Sequence, residues 1–94
     1  DTTDTMLRVI DTSQTRAASS IAFLDRKIAV AATSTQAALT QIQTDLVRLS
    51  EELARIKTDI LAQRSDQAAV IQLTSEATTK IKEIDAKIFS GYSL

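Results

Sequence analysis

Cysteine, histidine, proline and tryptophan are all absent from the chain, which has one glycine, one tyrosine and two phenylalanines in 94 residues. Without cysteine or histidine there is no disulfide framework, no thiolate or imidazole metal site and no histidine-based acid–base chemistry. Because glycine and proline supply the backbone angles of tight turns, their scarcity argues against a sheet fold with many turns. These absences leave a helical chain.

Neither sign of charge predominates, since 11 basic residues stand against 12 acidic ones along the whole length. Binding to nucleic acid needs a clustered basic face, and the only adjacent basic pair is Arg26-Lys27. The most apolar stretch, residues 21–32, is interrupted by three charged residues and is too short for a membrane helix. We therefore expect no nucleic-acid partner and no membrane span.

The polar residues show no arrangement typical of an enzyme. The adjacent carboxylates Glu51 and Glu52 lie on a predicted helix surface with nothing around them to enclose a substrate. No set of carboxylates has the spacing of a calcium-binding loop. We expect no catalytic residues, no cofactor and no metal site.

Local sequence predicts an all-α chain. Residues 1–5 contain the Asp and Thr side chains typical of a helix N-terminal cap or frayed tail. No strong helix breaker follows until Gly91, which stands where a C-terminal cap belongs, so residues 90–94 are predicted to be a tail. We expect residues 6–89 to be a long helix that forms a parallel coiled coil or a helical bundle.

Apolar residues recur at alternating steps of three and four from residue 39 to residue 88, which defines heptads lettered a to g with a and d on one seam. The polar positions Gln63 and Gln67 are predicted to set the register between chains, and a turn at residues 64–66 is the alternative. The predicted oligomer interface consists of Leu39, Ile42, Leu46, Leu49, Leu53, Ile56, Ile60, Gln63, Gln67, Val70, Ile81, Ile84 and Ile88.

The heptad frame changes upstream of this seam. The same steps of three and four recur before residue 39, but Ile42 has a different heptad position in the upstream and downstream series. The mismatch is equivalent to a stutter near residues 31–46 of a continuous helix. The alternative is an antiparallel helical hairpin bent near residues 33–36, where threonine and serine hydroxyls would cap a second helix.

Charges beside the seam favour parallel copies. In a parallel coil, Glu52 would face Lys57 of a neighbour and Lys80 would face Asp85, whereas antiparallel copies would bring acidic g positions together. Leucine at a with isoleucine at d favours three or more helices around the core. We therefore expect a trimer, a tetramer or a higher assembly of the chain with itself, rather than a dimer.

Apolar residues away from the seam indicate further neighbours. Phe23 and Val30 are seven residues apart, and Val47 and Leu61 belong to another stripe with the same interval, so we predict that these four pack laterally. Residues 17–32 and the C-terminal tail are candidate contacts with a second protein.

The seam predicts a structural protein, a self-assembling helical subunit of a shaft, stalk or filament. The alternative is a helical adaptor or chaperone-like hairpin that binds a different protein chain through the same apolar stripe. The absence of cysteine and the first residue, which is not methionine, favour an extracellular or virion surface.

Overall fold

Three helices make up the part of the chain that the computed structural model describes, residues 2–62 and 67–91. Helix α1 spans Thr2–Ile28, α2 spans Thr33–Ala62 and α3 spans Gln67–Gly91. These residues contain no strand, so the predicted all-α class is confirmed. None of the described helices is both long and apolar enough to cross a membrane.

The helices pack side by side in an elongated bundle that measures 46 × 18 × 17 Å. Helices α1 and α2 are antiparallel, because the Gln14 side chain donates to the Ser50 carbonyl at 3.3 Å while the Gln43 side chain donates to the Ile21 carbonyl at 3.4 Å. Each bond joins an early residue of one helix to a late residue of the other. Helix α3 runs back alongside α1 and parallel to it.

The helix predicted for residues 6–89 is interrupted after Ile28. The Val30 N–H donates to the Lys27 carbonyl at 3.2 Å, which is three residues back rather than four and closes the end of α1. In the first turn of α2, the Gln36 side chain donates Nε2–H to the Ile28 carbonyl at 2.8 Å. The same carbonyl also accepts from the Ala31 N–H at 3.4 Å, so the Gln36 side chain adds a second hydrogen bond at the end of α1.

The bend follows from a change of phase between the buried faces of α1 and α2. In α1, buried apolar residues recur every seven positions at Ile10, Ala17 and Leu24. The same interval would place the next buried positions at residues 31 and 38, but the first buried residue of α2 is Leu39, one residue later. One residue is about 100° of helix rotation, so a straight helix would point the two apolar faces in different directions. The chain therefore bends between Ile28 and Thr33 and forms an antiparallel hairpin, as in the alternative prediction, but the bend lies just before the predicted residues 33–36, which form the first turn of α2. There is no stutter near residues 31–46 of a continuous helix.

One hydrophobic core receives side chains from all three helices. The preference of its leucines and isoleucines for three or more helices is met here by three helices of a single chain. One buried polar atom, Thr74 Oγ1, has no hydrogen-bond partner among the described atoms. The buried apolar residues are Ile10, Ala17, Leu24, Leu39, Leu46, Leu53, Ile56, Ile60, Val70, Ala77, Ile81 and Ile88.

Candidate interaction surfaces

The side chains predicted to join copies of the chain face the core of one chain. All a positions with described side chains are buried, whereas the d positions Ile42, Leu49 and Ile84 are half-buried. Gln63, the predicted turn at 64–66 and the side chain of Gln67 lie outside the described residues. The heptad frame therefore marks the face of α2 and α3 that packs inward, and α1 covers much of it.

Three of the four residues predicted to pack laterally lie on the surface. Val30 is 77% exposed, Leu61 is 63% exposed and Val47 is 40% exposed. Val47 borders a shallow depression between α1 and α2, together with Ile21 and Ala54. These positions leave apolar area available to a neighbouring molecule.

The fourth, Phe23, has partners inside the chain. Its ring centroid lies 5.6 Å from that of Phe89 in α3, and Lys27 Nζ lies 5.2 Å from the Phe23 centroid. The two rings pack where α1 and α3 approach the same end of the bundle, so Phe23 contributes to the α1–α3 contact. Of the predicted C-terminal tail, Ser90 and Gly91 belong to α3, and residues 92–94 lie outside the described residues.

A partly buried carboxylate also joins α1 to α3. The side chain of Asp85 is 17% exposed, accepts a hydrogen bond from the buried Ser20 hydroxyl and lies 3.9 Å from Arg16 Nη1. Sequence reasoning missed this cluster because Ser20 belongs to a short alanine-serine stretch that has no distinctive motif. Its groups already bond to one another, so the cluster positions two helices.

A groove follows α2 and α3 along their shared outer side. One part of it, an open cavity of about 580 Å³, includes the half-buried Leu49 and Ile84, which form the floor of the groove. Adjoining cavities extend it past Ala77 and then to Leu73, near the start of α3. Because neighbouring cavities share lining residues, we describe them as one feature, the α2–α3 groove.

The α2 wall of the groove has charges at two heptad positions. Asp45, Glu52 and Asp59 occupy successive g positions next to the seam and are partly buried, while Arg48 and Arg55 occupy c positions farther out and are exposed. Arg48 Nη2 lies 3.0 Å from Asp45 Oδ1 of the preceding turn. The wall is therefore acidic beside the floor and basic at the rim.

The α3 wall has the opposite order. Lys80 and Lys87 occupy g positions next to the seam, and Glu76 and Glu83 occupy c positions farther out. Lys80 Nζ lies 3.8 Å from Glu83 Oε2 on the same helix. This wall is therefore basic beside the floor and acidic at the rim.

The described side chains contain no cluster of three or more acidic residues that could hold a metal ion. Comparisons with protein-family models, with curated proteins and with solved structures gave no significant match.

Proposed function

We propose that the chain is a structural, self-associating helical subunit that assembles as a folded three-helix bundle. The observation that supports this is the α2–α3 groove, where Leu49 and Ile84 remain half-buried although they occupy seam positions. Within one chain the described helices leave these two side chains partly exposed. A further helix from another copy would complete the burial of these side chains.

Such a subunit would serve as a building block of a shaft, stalk or filament. Direct association through the a positions requires the bundle to open, because Leu46 and Leu53 are fully buried in the closed chain. Contacts made by the closed bundle avoid that cost and use surface that is already accessible. Val47 and Leu61 add exposed apolar area for lateral contacts between such units.

An opened form is the second candidate, and one observation favours it. The a positions continue from Ile60 in α2 to Thr74 in α3 at multiples of seven, without a change of phase. If α2 and α3 joined into one straight helix, they would present a single unbroken seam. Copies could then exchange helices and associate through the a and d residues.

Sedimentation velocity of the pure chain over a range of concentrations tests self-association directly. We expect masses above that of one chain, which rise with concentration. A strict monomer at every concentration would overturn the proposal and leave the adaptor or chaperone-like binding of a different protein chain as the function to test.

An insertion distinguishes the closed unit from the opened one. Two glycines inserted after Arg64 change the heptad phase between α2 and α3 and weaken a continuous helix. We expect association to persist, because the closed bundle does not depend on that phase. Loss of association with retained helicity would support the opened form.

A further inference from the structure

We propose that two copies of the chain pair groove to groove, so that α2 of each copy lies against α3 of the other in a closed two-fold dimer. This inference rests on the self-association proposed above and identifies its surface and geometry. A dimer of this kind uses the same patch on both copies, so the patch must be complementary to itself.

The order of charges on the two walls meets that requirement. From the floor outward, α2 presents acid and then base, as in Asp45 and Arg48, whereas α3 presents base and then acid, as in Lys87 and Glu83. When α2 of one copy lies against α3 of the other, both the inner and the outer layers bring opposite charges together. Complementary layers of this kind select the partner and its orientation.

Complementary charges also lie at matching heights along the bundle. Asp45 and Arg48 line the same part of the groove as Glu83 and Lys87, while Glu52 lines the next part together with Lys80. A two-fold axis parallel to the bundle exchanges α2 and α3 across the interface without changing height. Asp45 and Glu52 therefore each meet a lysine at their own level, whereas Asp59 lies at the level of Leu73.

The other two-fold arrangement is disfavoured by the same residues. An axis perpendicular to the bundle, across the groove, would place α2 against α2 and bring the acidic series of Asp45, Glu52 and Asp59 towards its own copy. Like charges in that position repel. The charge pattern thus selects the parallel axis.

One whole side of the bundle, 46 by 18 Å, presents roughly 800 Å², which is about what each partner contributes to an interface of standard size. The groove residues from Asp45 to Asp59 span roughly 21 Å of that length, so a dimer of standard size also uses contacts on the same side beyond the groove. Exposed ion pairs are individually weak, so we assign most of the affinity to the apolar floor around Leu49 and Ile84 and the choice of arrangement to the charges.

Complementary charge reversals test the arrangement. The variant Lys80→Glu/Lys87→Glu has acidic groups on both inner walls, and the variant Asp45→Lys/Glu52→Lys has basic groups on both. We expect each variant alone to dimerise at least tenfold more weakly than wild type. An equimolar mixture should regain dimers, because both contacts of the mixed pair are again complementary.

The matched control for Lys80→Glu/Lys87→Glu is Arg26→Glu/Lys82→Glu, which makes the same change in net charge at exposed positions outside the groove. It should dimerise like wild type, and circular dichroism should show that all variants keep their helicity. If wild type associates and the groove variants associate equally well, the groove arrangement is wrong while self-association stands. If wild type is a monomer, self-association itself is wrong.

A cross-linking experiment avoids charge reversal and its effect on folding. The chain has no cysteine, so Glu52→Cys and Lys80→Cys each introduce a single thiol near the groove. Oxidation of a mixture should give mainly the mixed disulfide dimer, whereas Lys82→Cys mixed with Glu52→Cys should give little. A dominant Glu52→Cys homodimer would overturn the parallel two-fold arrangement in favour of the perpendicular one.

Discussion

Thr74 is the position where a single substitution should stabilise the bundle. It is 5% exposed, and its Oγ1 is buried without a hydrogen-bond partner among the described atoms. A buried hydroxyl left without a partner costs about 1–3 kcal/mol. Valine has nearly the same shape with a methyl group in place of the hydroxyl, so Thr74→Val removes this cost without opening a cavity. We expect the free energy of unfolding to rise by about 1–2 kcal/mol.

Thr78 provides a matched control one turn further along α3. It is 7% exposed, but its hydroxyl donates to the Thr74 carbonyl at 2.8 Å. Thr78→Val therefore deletes a hydrogen bond that is made, and we expect it to be neutral or to lower the free energy of unfolding by up to about 1 kcal/mol. Threonine and valine have similar helix propensities, so the contrast between the two sites isolates the hydroxyl.

Urea unfolding followed by circular dichroism at 222 nm measures both variants at one protein concentration. The midpoint for Thr74→Val should rise while the slope m stays constant, because the surface exposed on unfolding is unchanged. The melting temperature should rise by roughly 4–8 °C for each kcal/mol in a chain of this size. A Thr74→Val protein no more stable than wild type would show that the hydroxyl is satisfied and the reasoning wrong.

Three further substitutions probe other parts of the bundle. Ser20→Ala removes the hydroxyl that donates to the Asp85 carboxylate, so urea unfolding should show a free energy of unfolding lower by about 1–3 kcal/mol. A double-mutant cycle with Asp85→Asn should show coupling between the two residues, and additive effects would argue against the hydrogen bond. Gln36→Glu cannot donate to the Ile28 carbonyl, so it should lower the free energy of unfolding by about 1 kcal/mol in the same assay. Gln36→Lys keeps a donor and should lower it less; equal losses would count against this hydrogen bond. Leu53→Ala leaves a cavity at a fully buried position and should lower the free energy of unfolding by about 2–5 kcal/mol. A decrease below about 1 kcal/mol would place Leu53 outside the core.

The helical class and the inward faces of α2 and α3 could be predicted because both depend on local spacing. Large apolar residues every three or four positions place one stripe on a helix wherever that helix packs. The positions of Leu39, Leu46, Leu53 and Ile81 followed from this spacing alone, and all four are fully buried. The spacing contains no information on whether the covering helix belongs to the same chain.

The bend before α2 was harder to predict because no glycine or proline marks it. A side chain supplies the signal, since the Gln36 amide reaches back to the Ile28 carbonyl. A second signal is the phase of α1, whose buried face includes Ser13 and Ser20. Hydrophobic patterns give no weight to serine, so spacing alone favours the apolar Ile21 over the neighbouring Ser20 as the buried position, whereas Ser20 is buried and Ile21 is half-buried.

The charge pairs predicted between parallel copies have other partners in the structure. Lys57 lies 2.7 Å from Asp11 of α1, and Asp85 accepts a hydrogen bond from Ser20. The predicted pairing of opposite charges between copies assumes that α2 and α3 belong to one continuous helix. Because α2 and α3 are separate helices that pack side by side, their g positions lie on opposite walls of one groove, and these charged residues form the surface of that groove.

Core composition and chain connection decide different properties of this molecule. Leucine and isoleucine at a and d determine how many helices can surround the core, whereas the connections decide which helices are closest to one another. Short connections hold α1, α2 and α3 at an effective concentration in the millimolar range. Separate copies at ordinary concentrations cannot match this, so helices of one chain pair first. Self-association then involves the surfaces that the closed bundle leaves open, and this is why we place the contact in the α2–α3 groove.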